Sequence, residues 1–277
     1  MKLALLTRNP KLYSTERFAR SCSDRRHDVM LVDPLLCYMA LGEGTQTMSY
    51  RGQSLADFDA VLPRIGASFS VYGIAVVRQF ETMSIYALNR ADSLGRARDK
   101  FASLQLLAEA GIPIPTTGFA DATLQTDDLI DLVGGPPLVV KILEGTQGIG
   151  VVLTENRQAA QSVIEAFRGM RANILVQEFI QEAAGEDVRC LVLNGRVIAA
   201  MRRSGSAGDF RSNLHRGGVA RPAVPTPQEE RNAIRSAEAL GLRFAGVDQL
   251  RSKRGPLVIE VNPSPGLEGI EGATGVD

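Results

Sequence analysis

Three oxygen-bearing side chains near the end of the chain are well suited to bind a metal ion. Glu260 and Asn262 lie two positions apart in an apolar run, so a β-strand would point both side chains to one face. Asp248 lies in an earlier apolar run and would join them if the two strands pair. Oxygen ligands without a nearby His or Cys suit Mg²⁺. The pattern predicts a magnesium site at these three residues, with a solvated sheet face as the alternative.

A lysine and a glycine-rich segment together favour phosphate binding. Lys141 ends the apolar run 137–141, where burying its charge is costly unless it meets an anion. Residues 145–150 include glycines at 145, 148 and 150, which let backbone N–H groups approach phosphate oxygens. No Gly-Lys-Ser or Gly-Lys-Thr follows, so this is not a Walker A loop. A flexible hairpin would use the same residues and is the alternative.

Four further residues have possible roles in binding a nucleotide. The backbone of Glu178 and Phe179, at the end of an apolar run, could contact an adenine edge, and Asp187 could accept from ribose hydroxyls. An exposed strand end and a turn are the ordinary explanations for these positions. Lys100 precedes Leu104 on a helical segment and, taken alone, is a surface lysine.

Alternating strand and helix patterns in the first third predict a parallel sheet covered by helices. We expect strands at 3–6, 29–32, 60–65 and 85–88. We expect helices at 71–83 and at 14–26, the latter capped by Ser14. This pattern places a Rossmann-like α/β lobe at residues 1–95.

The remaining chain predicts two more lobes, at 96–185 and 186–277. A helix at 92–110, stopped by Gly111 and Pro113, leads into a small antiparallel sheet with helices on one side. The last lobe contains a hairpin that turns at Asn194-Gly195, a strong signal for a two-residue turn. The expected elements of these lobes are strands 138–143, 151–153, 174–180, 188–193, 196–201, 246–250 and 257–261 and helices 156–170 and 227–240.

Composition excludes several classes of protein. Lys+Arg and Asp+Glu both number 31 among 277 residues, which does not favour a broad basic surface for nucleic acid. The three cysteines are far apart, which argues against a zinc site or disulfide framework and fits a reducing cytoplasm. No apolar run reaches the roughly 18 residues of a transmembrane helix. We therefore expect a cytoplasmic protein that binds neither nucleic acid nor membrane directly.

The order of these residues resembles the ATP-grasp enzymes. The similarity is closer to the RimK family, ligases that add glutamates to the C-terminus of the sixth small-subunit ribosomal protein. It covers essentially the whole chain, and the segments 210–218 and 260–271 are its most specific parts. The other segments that share it are 63–66, 96–100 and 139–150.

The resemblance implies a three-lobed ATP-grasp fold of the α/β (α+β) class, with ATP between the middle and last lobes. It implies phosphate contacts from Lys100 and Lys141, adenine contacts from Glu178 and Phe179, and a ribose contact from Asp187. Three residues would close over the phosphates: Arg211, Ser212 and Asn213. The oxygen ligands Asp248, Glu260 and Asn262 would bind two Mg²⁺ or Mn²⁺ ions.

The implied reaction activates a carboxylate as an acyl phosphate, which the amine of L-glutamate then attacks. Arg203 is the best placed catalytic candidate for the acyl phosphate and the later tetrahedral intermediate, and Arg211 would act beside the phosphates. His215 could help to deprotonate the amine, although loop histidines are often bystanders. The stretch 202–216 is locally basic, which favours an acidic protein tail as the acceptor.

Two departures from the resembled family affect these expectations. Residues 204–208 are neutral where RimK-like sequences often have a lysine, which could alter the acceptor preference. Relatives usually continue past the position of Asp277 into a last helix.

Three functions from different classes stay open. They are a protein-modifying glutamate ligase, an ATP-grasp ligase with a small-molecule acceptor, and a non-catalytic nucleotide-binding regulator. A regulator would be expected to lose the metal ligands or Arg203, and this sequence retains both. The acceptor, the length of any glutamate tail and the presence of a homo-oligomer are not fixed by the sequence.

Overall fold

The computed structural model describes residues 1–66, 70–120, 126–143, 150–206, 210–212 and 217–276. Within these ranges the chain forms four β-sheets and eight α-helices. None of the helices in this part of the chain combines the length and the apolar character that crossing a membrane would require.

The first third of the chain combines a parallel sheet, a small antiparallel sheet and three helices. Its elements are β1 (Lys2–Leu6), α1 (Tyr13–Asp24), β2 (Asp28–Val32), β3 (Cys37–Gly42), β4 (Thr45–Tyr50), β5 (Gln53–Ser54), β6 (Ala60–Pro63), α2 (Ser70–Thr82), β7 (Tyr86–Ala87) and α3 (Ala91–Arg98). The strand order β2-β1-β6-β7 is parallel throughout, which confirms the predicted parallel sheet. The antiparallel sheet β3-β4-β5 was not predicted.

The middle of the chain forms the predicted antiparallel sheet with helices. Its elements are α4 (Lys100–Glu109), β8 (Thr117–Phe119), α5 (Thr126–Leu132), β9 (Leu138–Ile142), β10 (Val151–Thr154), α6 (Arg157–Gly169) and β11 (Ile174–Glu178). The strand order is β10-β9-β11-β8, and all three pairings are antiparallel. Asn156 caps α6 by accepting a hydrogen bond from the Ala159 N–H at 2.9 Å, as expected. Of the predicted glycine-rich segment 145–150, residues 145–149 lie outside the described residues.

The last third forms a five-stranded antiparallel sheet and two helices. Its elements are β12 (Glu186–Leu193), β13 (Arg196–Ser204), β14 (Val219–Pro222), α7 (Pro227–Ala239), β15 (Phe244–Ser252), β16 (Gly255–Asn262) and α8 (Glu268–Thr274). The strand order is β14-β13-β12-β15-β16. Asn194 and Gly195 both have positive φ, at 46° and 73°, as the predicted tight hairpin turn requires. Strand β14 and helix α8 were not predicted.

Two local predictions were wrong for identifiable reasons. The helix expected at 92–110 is divided into α3 and α4, because Asp99 leaves the helical conformation and caps α4 by accepting from the N–H groups of Phe101 and Ala102. Ser14 does not cap α1. Its hydroxyl instead accepts a hydrogen bond from the Leu267 N–H at 2.9 Å, which joins α1 to the segment before α8.

The three largest of five apolar clusters in the described residues support the sheets. One lies under the first parallel sheet, and a second lies between α5, α6 and the middle sheet. The third includes Leu104 and Leu107 of α4 together with Ala233 of α7 and Val247 of β15. Helix α4 therefore packs against the last sheet, although the predicted boundary groups it with the middle lobe. The lobe limits 1–95, 96–185 and 186–277 stay predictions.

Candidate active site

One face of the last sheet holds a buried network of four charged side chains. Adjacent strands place Asp187 opposite Arg203 and Arg189 opposite Asp248. Arg203 is 5% exposed, Asp187 is 4% exposed and Asp248 is 2% exposed. Buried charges are tolerated only when each is paired, and this set contains two cations and two anions.

Arg203 bridges the two aspartates. Its Nε donates to Asp187 Oδ1 at 2.7 Å, and its Nη2 lies 2.5 Å from Asp187 Oδ2 and 2.9 Å from Asp248 Oδ2. The Ser212 hydroxyl also donates to Asp187. Arg189 donates two hydrogen bonds of 2.6 Å to Asp248, from its Nε to Oδ1 and from its Nη2 to Oδ2. Sequence reasoning missed Arg189, because only the strand register shows that it faces Asp248.

The network sets the protonation of the two aspartates. Burial pushes the pKa of Asp248 upward, but the charges of Arg189 and Arg203 outweigh it, so this pKa lies below its ordinary value. Burial raises the pKa of Asp187 and nearby Asp248 adds to the rise, against the opposing charge of Arg203. The two carboxylates thus share one guanidinium, that of Arg203, and its positive charge lowers the pKa of both.

The predicted metal ligands lie on neighbouring strands at one end of this network. Asp248 is paired with Glu260, and the Asn262 amide Nδ2 lies 3.4 Å from Asp248 Oδ2. A register shift after Asp248 pairs Gln249 with Val258, which leaves Ile259 as the extra residue of a bulge. Beyond the bulge Glu260 and Asn262 share the face of Asp248, whereas Gln249 turns to the opposite face and donates to the Glu229 carbonyl of α7.

The predicted phosphate-binding lysines lie close to Glu260. Lys141 on β9 donates to Gln177 Oε1 on β11 at 2.6 Å, and Gln177 in turn donates to Thr117 at 2.8 Å. Burial lowers the pKa of Lys141 to about 8; the negative charge of Glu260 opposes this shift, and the positive charge of Lys100 adds to it. Lys141 on β9 is therefore within electrostatic reach of Lys100 on α4 and of Glu260 on β16. Gln177, which orients the lysine, was not predicted to be a site residue.

The predicted adenine-binding residues lie at the end of β11. The Glu178 N–H donates to the Thr116 carbonyl at 2.9 Å, and the Phe179 N–H donates to the Pro137 carbonyl at a longer 3.3 Å. The Glu178 carboxylate is held by Arg254 at 2.5 Å and by the Thr116 N–H at 2.6 Å. An adenine base bound at the Phe179 backbone would have to displace the longer of these two contacts, the one between the Phe179 N–H and the Pro137 carbonyl.

The segment 210–212 reaches across to both sheets. Phe210 packs edge to face on Phe179, with ring centres 6.1 Å apart. Arg211 lies 5.5 Å from the Phe210 ring centre and its Nη1 is 3.4 Å from the Val151 carbonyl on β10. Ser212 bonds to Asp187, as described above. Two of the three residues expected to close over phosphates thus contact the surrounding site, and Asn213 lies outside the described residues.

The expected basic surface for an acceptor is not arranged as predicted. Arg203 is buried in the carboxylate network, so its charge is already compensated. Arg202 points to the opposite face of β13, because successive strand residues alternate, and it lies 3.6 Å from Glu186. The basic stretch 202–216 therefore does not present Arg202 and Arg203 on one surface as expected, because β13 continues to Ser204 instead of ending at 201. His215 and Arg216 lie outside the described residues.

The donor chemistry of Asp248, Glu260 and Asn262 fits a hard divalent cation. All three side chains bear oxygen, and they face one space from adjacent strands. The residues that the structure describes contain no cluster of three His, Cys, Asp or Glu side chains arranged for a metal, so the amide of Asn262 is needed as the third ligand. Arg189 at present occupies both oxygens of Asp248.

Comparison with known proteins agrees with this architecture. Residues 1–94 match the RimK PreATP-grasp domain family, and residues 97–277 match the RimK-like ATP-grasp domain family. The chain is 57% identical over 277 residues to proteins named "Probable alpha-L-glutamate ligase" from Syntrophotalea carbinolica and from Vibrio cholerae. Each of these alignments covers 100% of this chain and 92% of the relative.

Solved structures share the fold. A RimK domain protein ATP-grasp from Sphaerobacter thermophilus is 26% identical, with a TM-score of 0.70 over 99% of this chain and 95% of that chain. The ATP-grasp ligase PsnB complexed with a minimal precursor is 21% identical, with a TM-score of 0.77 over 99% of this chain and 94% of that chain. The chain belongs to the RimK-like ATP-grasp family and is an ATP-dependent ligase that forms carbon–nitrogen bonds.

Proposed function

We propose that this ligase joins L-glutamate to the C-terminal carboxylate of an acidic protein tail, that of the sixth small-subunit ribosomal protein. The observation that supports the activation step best is that the charges of Lys100 and Glu260 both act on Lys141, while Glu260 pairs with Asp248 on the adjacent strand. Cations on one side and oxygen ligands on the other are what a nucleotide triphosphate requires. Glutamate as the amine rests on the relatives named "Probable alpha-L-glutamate ligase".

ATP would lie between the middle and last sheets. Lys141 and Lys100 would bind its phosphates, and the partly buried position of Lys141 would strengthen the attraction. Glu178 and Phe179 would hold adenine and Asp187 the ribose, once its contact with Ser212 is exchanged. Arg211, Ser212 and Asn213 would close over the phosphates from the other side.

Asp248, Glu260 and Asn262 would hold one or two Mg²⁺ or Mn²⁺ ions. When bound, the metal supplies positive charge that offsets the charge of the transferring phosphoryl group. Arg189 would have to release at least one Asp248 oxygen for this set to bind a cation. Glu260 is exposed, so it is the ligand that can move most easily.

The reaction has two steps. The acceptor carboxylate attacks the terminal phosphorus, which forms an acyl phosphate and releases ADP. The glutamate amine then attacks the acyl carbon, so that a carbon–nitrogen bond forms, phosphate leaves with the electron pair of the broken C–O bond and the amine loses a proton. Arg211 would stabilise the phosphates. Arg203, which we predict to act on the acyl phosphate, also fixes both aspartates and is therefore a positioning residue as well.

The identity of the acceptor rests on the resemblance to RimK-type ligases. The basic stretch gives it less support than the sequence indicated, since Arg202 and Arg203 do not face an open cleft. We propose a cytoplasmic location, on the grounds of cysteine spacing. A ligase with a small-molecule acceptor is the second candidate, because a ligase solved with a precursor, PsnB, and the D-alanine–D-alanine ligase from Bacillus anthracis share one fold.

The test is ADP release with L-glutamate and Mg²⁺, with and without a peptide ending in Glu-Glu. We expect ADP release that requires both glutamate and the peptide, and growth of the peptide by glutamate residues in its mass spectrum. A peptide ending in Lys-Lys is the matched control. Equal use of the two peptides, or ADP release with glutamate alone, would favour the small-molecule ligase.

A further inference from the structure

Three buried polar atoms without hydrogen-bond partners lie on segments that contact one another between the first sheet and the last one. They are Nη1 of Arg64, Nε of Arg98 and Oγ of Ser264. Arg64 follows β6, Arg98 ends α3, and Ser264 lies two residues beyond Asn262. Buried donors are nearly always paired, so an unpaired group of this kind calls for an explanation.

The two guanidinium groups are held in place by their other nitrogens. Arg64 Nη2 donates to the Pro265 carbonyl at 2.8 Å, which places this side chain next to Ser264. The Arg64 guanidinium also lies over the Phe18 ring, 5.5 Å from its centre. Arg98 Nη2 donates to the Ile65 carbonyl. Each arginine is therefore fixed by a backbone oxygen and keeps one donor available.

The positive charges of the pair are not neutralised locally. Burial lowers the pKa of Arg64 to about 10, and the positive charge of Arg98 contributes to that shift. Among the described side chains neither arginine has an acidic partner within 4.0 Å. The negative charge of Glu260 nevertheless acts to raise the pKa of Arg98. Two buried like charges side by side are unfavourable unless an anion lies between them.

The location connects this cluster to the proposed reaction. Arg98 precedes Lys100 by two residues, and the charge of Glu260 acts on both Arg98 and Lys141, so the arginine pair lies near the phosphate-binding lysines. An anion bound by the arginines would therefore lie near the proposed position of the nucleotide phosphates. Lys100 and Lys141 already serve the phosphates in the proposed function, which leaves a different anion for this cluster.

We propose that Arg64, Arg98 and Ser264 form a subsite for a non-reacting carboxylate of the amino-acid substrate. Two N–H donors and a hydroxyl match the planar, four-lone-pair acceptor that a carboxylate presents. Glutamate has two carboxylates, and neither reacts when its amine attacks the activated acceptor. The subsite rests on the proposed function, because it assumes an amino acid as the incoming amine.

The experiment compares Arg98→Gln and Ser264→Ala with the unchanged chain. The readouts are KM for glutamate, KM for ATP and the rise in melting temperature that glutamate produces. We expect Arg98→Gln to raise the glutamate KM about tenfold to a hundredfold, as the loss of a charge-assisted hydrogen bond implies. Ser264→Ala should raise it about fivefold, within the range of a neutral hydrogen bond. KM for ATP should stay within a factor of two of its unchanged value, about the limit of what such assays resolve.

Ser264→Ala also controls for misfolding. Its hydroxyl has no partner in the described residues, so its removal should leave the melting temperature without glutamate unchanged or slightly higher. Arg17→Lys is the matched control. Arg17 also connects the first third of the chain to the last, since it pairs with Glu271 at 2.9 Å. We expect Arg17→Lys to leave the glutamate KM unchanged.

Glutamine and isoglutamine distinguish the two carboxylates of glutamate. If the Arg98→Gln penalty disappears with glutamine, the subsite binds the γ-carboxylate. If the penalty disappears with isoglutamine, the subsite binds the α-carboxylate. An equal penalty with all three substrates, an unchanged glutamate KM, or an equal rise in KM for ATP would overturn the subsite. Lack of glutamate-dependent ADP release by the unchanged chain would instead overturn the proposed function.

Discussion

Replacing Arg203 by Met tests the buried charge network most severely. The change keeps much of the side-chain volume but removes three contacts, at 2.7, 2.5 and 2.9 Å, that connect Asp187 and Asp248. Both aspartates are less than 5% exposed, so water cannot replace the lost charge. Breaking a buried ion pair costs about 3–5 kcal/mol, which for a chain of this size lowers the melting temperature by roughly 10 °C.

The penalty should depend on pH with a definite sign. The pKa of Asp187 is already raised above its ordinary 3.8, and loss of Arg203 raises it further. A raised folded-state pKa gives stability that is present below the unfolded value and is lost as pH rises through the folded value. The destabilisation by Arg203→Met should therefore be smallest at acidic pH, where protonation relieves the unpaired carboxylates, and should grow toward neutral pH.

Urea unfolding of the variant and of the unchanged chain, at several pH values, measures this effect. Arg78→Met is the matched control, because Arg78 pairs with Asp92 at 2.6 Å while the two side chains are 51% and 59% exposed. An exposed pair contributes about 0–1 kcal/mol, so that control should be nearly neutral. Adding Asp187→Asn to Arg203→Met should restore part of the stability. A variant as stable as Arg78→Met, or a penalty that is flat with pH, would refute the reasoning.

Three further predictions concern the nucleotide and metal residues. Glu260→Ala should abolish ADP release while the melting temperature stays unchanged, because this ligand is exposed; near-normal turnover would remove it from the metal site. Lys141→Met should weaken ATP binding about tenfold to a hundredfold by calorimetry, and Lys100→Met less, whereas unchanged affinity in both would place ATP elsewhere. Because the pKa of Lys141 is about 8, ATP binding near that pH should take up protons, and Lys141→Arg should remove this uptake.

Much of the candidate site follows from short-range sequence rules. The spacing of Glu260 and Asn262 placed them on one face, and the apolar run around Asp248 made pairing of the two strands reasonable. The Asn194-Gly195 signal located the hairpin that brings Arg203 opposite Asp187. These features depend on residues close together in the chain, where periodicity and turn chemistry are informative.

Other features depend on long-range register, which a single sequence does not reveal. Arg189 faces Asp248 only because β12 pairs with β15 in a particular alignment. Ser14 looked like a helix cap, but a tertiary contact with Leu267 uses its hydroxyl. Arg202 and Arg203 looked like neighbours on one basic loop. They lie on opposite sheet faces because the strand extends through both residues.

Mass spectrometry of a Glu-Glu-ending tail peptide, incubated with the chain, ATP, Mg²⁺ and L-glutamate, tests the central claim most directly. The account predicts that the peptide gains one or more glutamate residues, with ADP released in step, and that omission of ATP or of glutamate prevents both. A peptide of unchanged mass, while ADP is still released in the presence of glutamate, would contradict it.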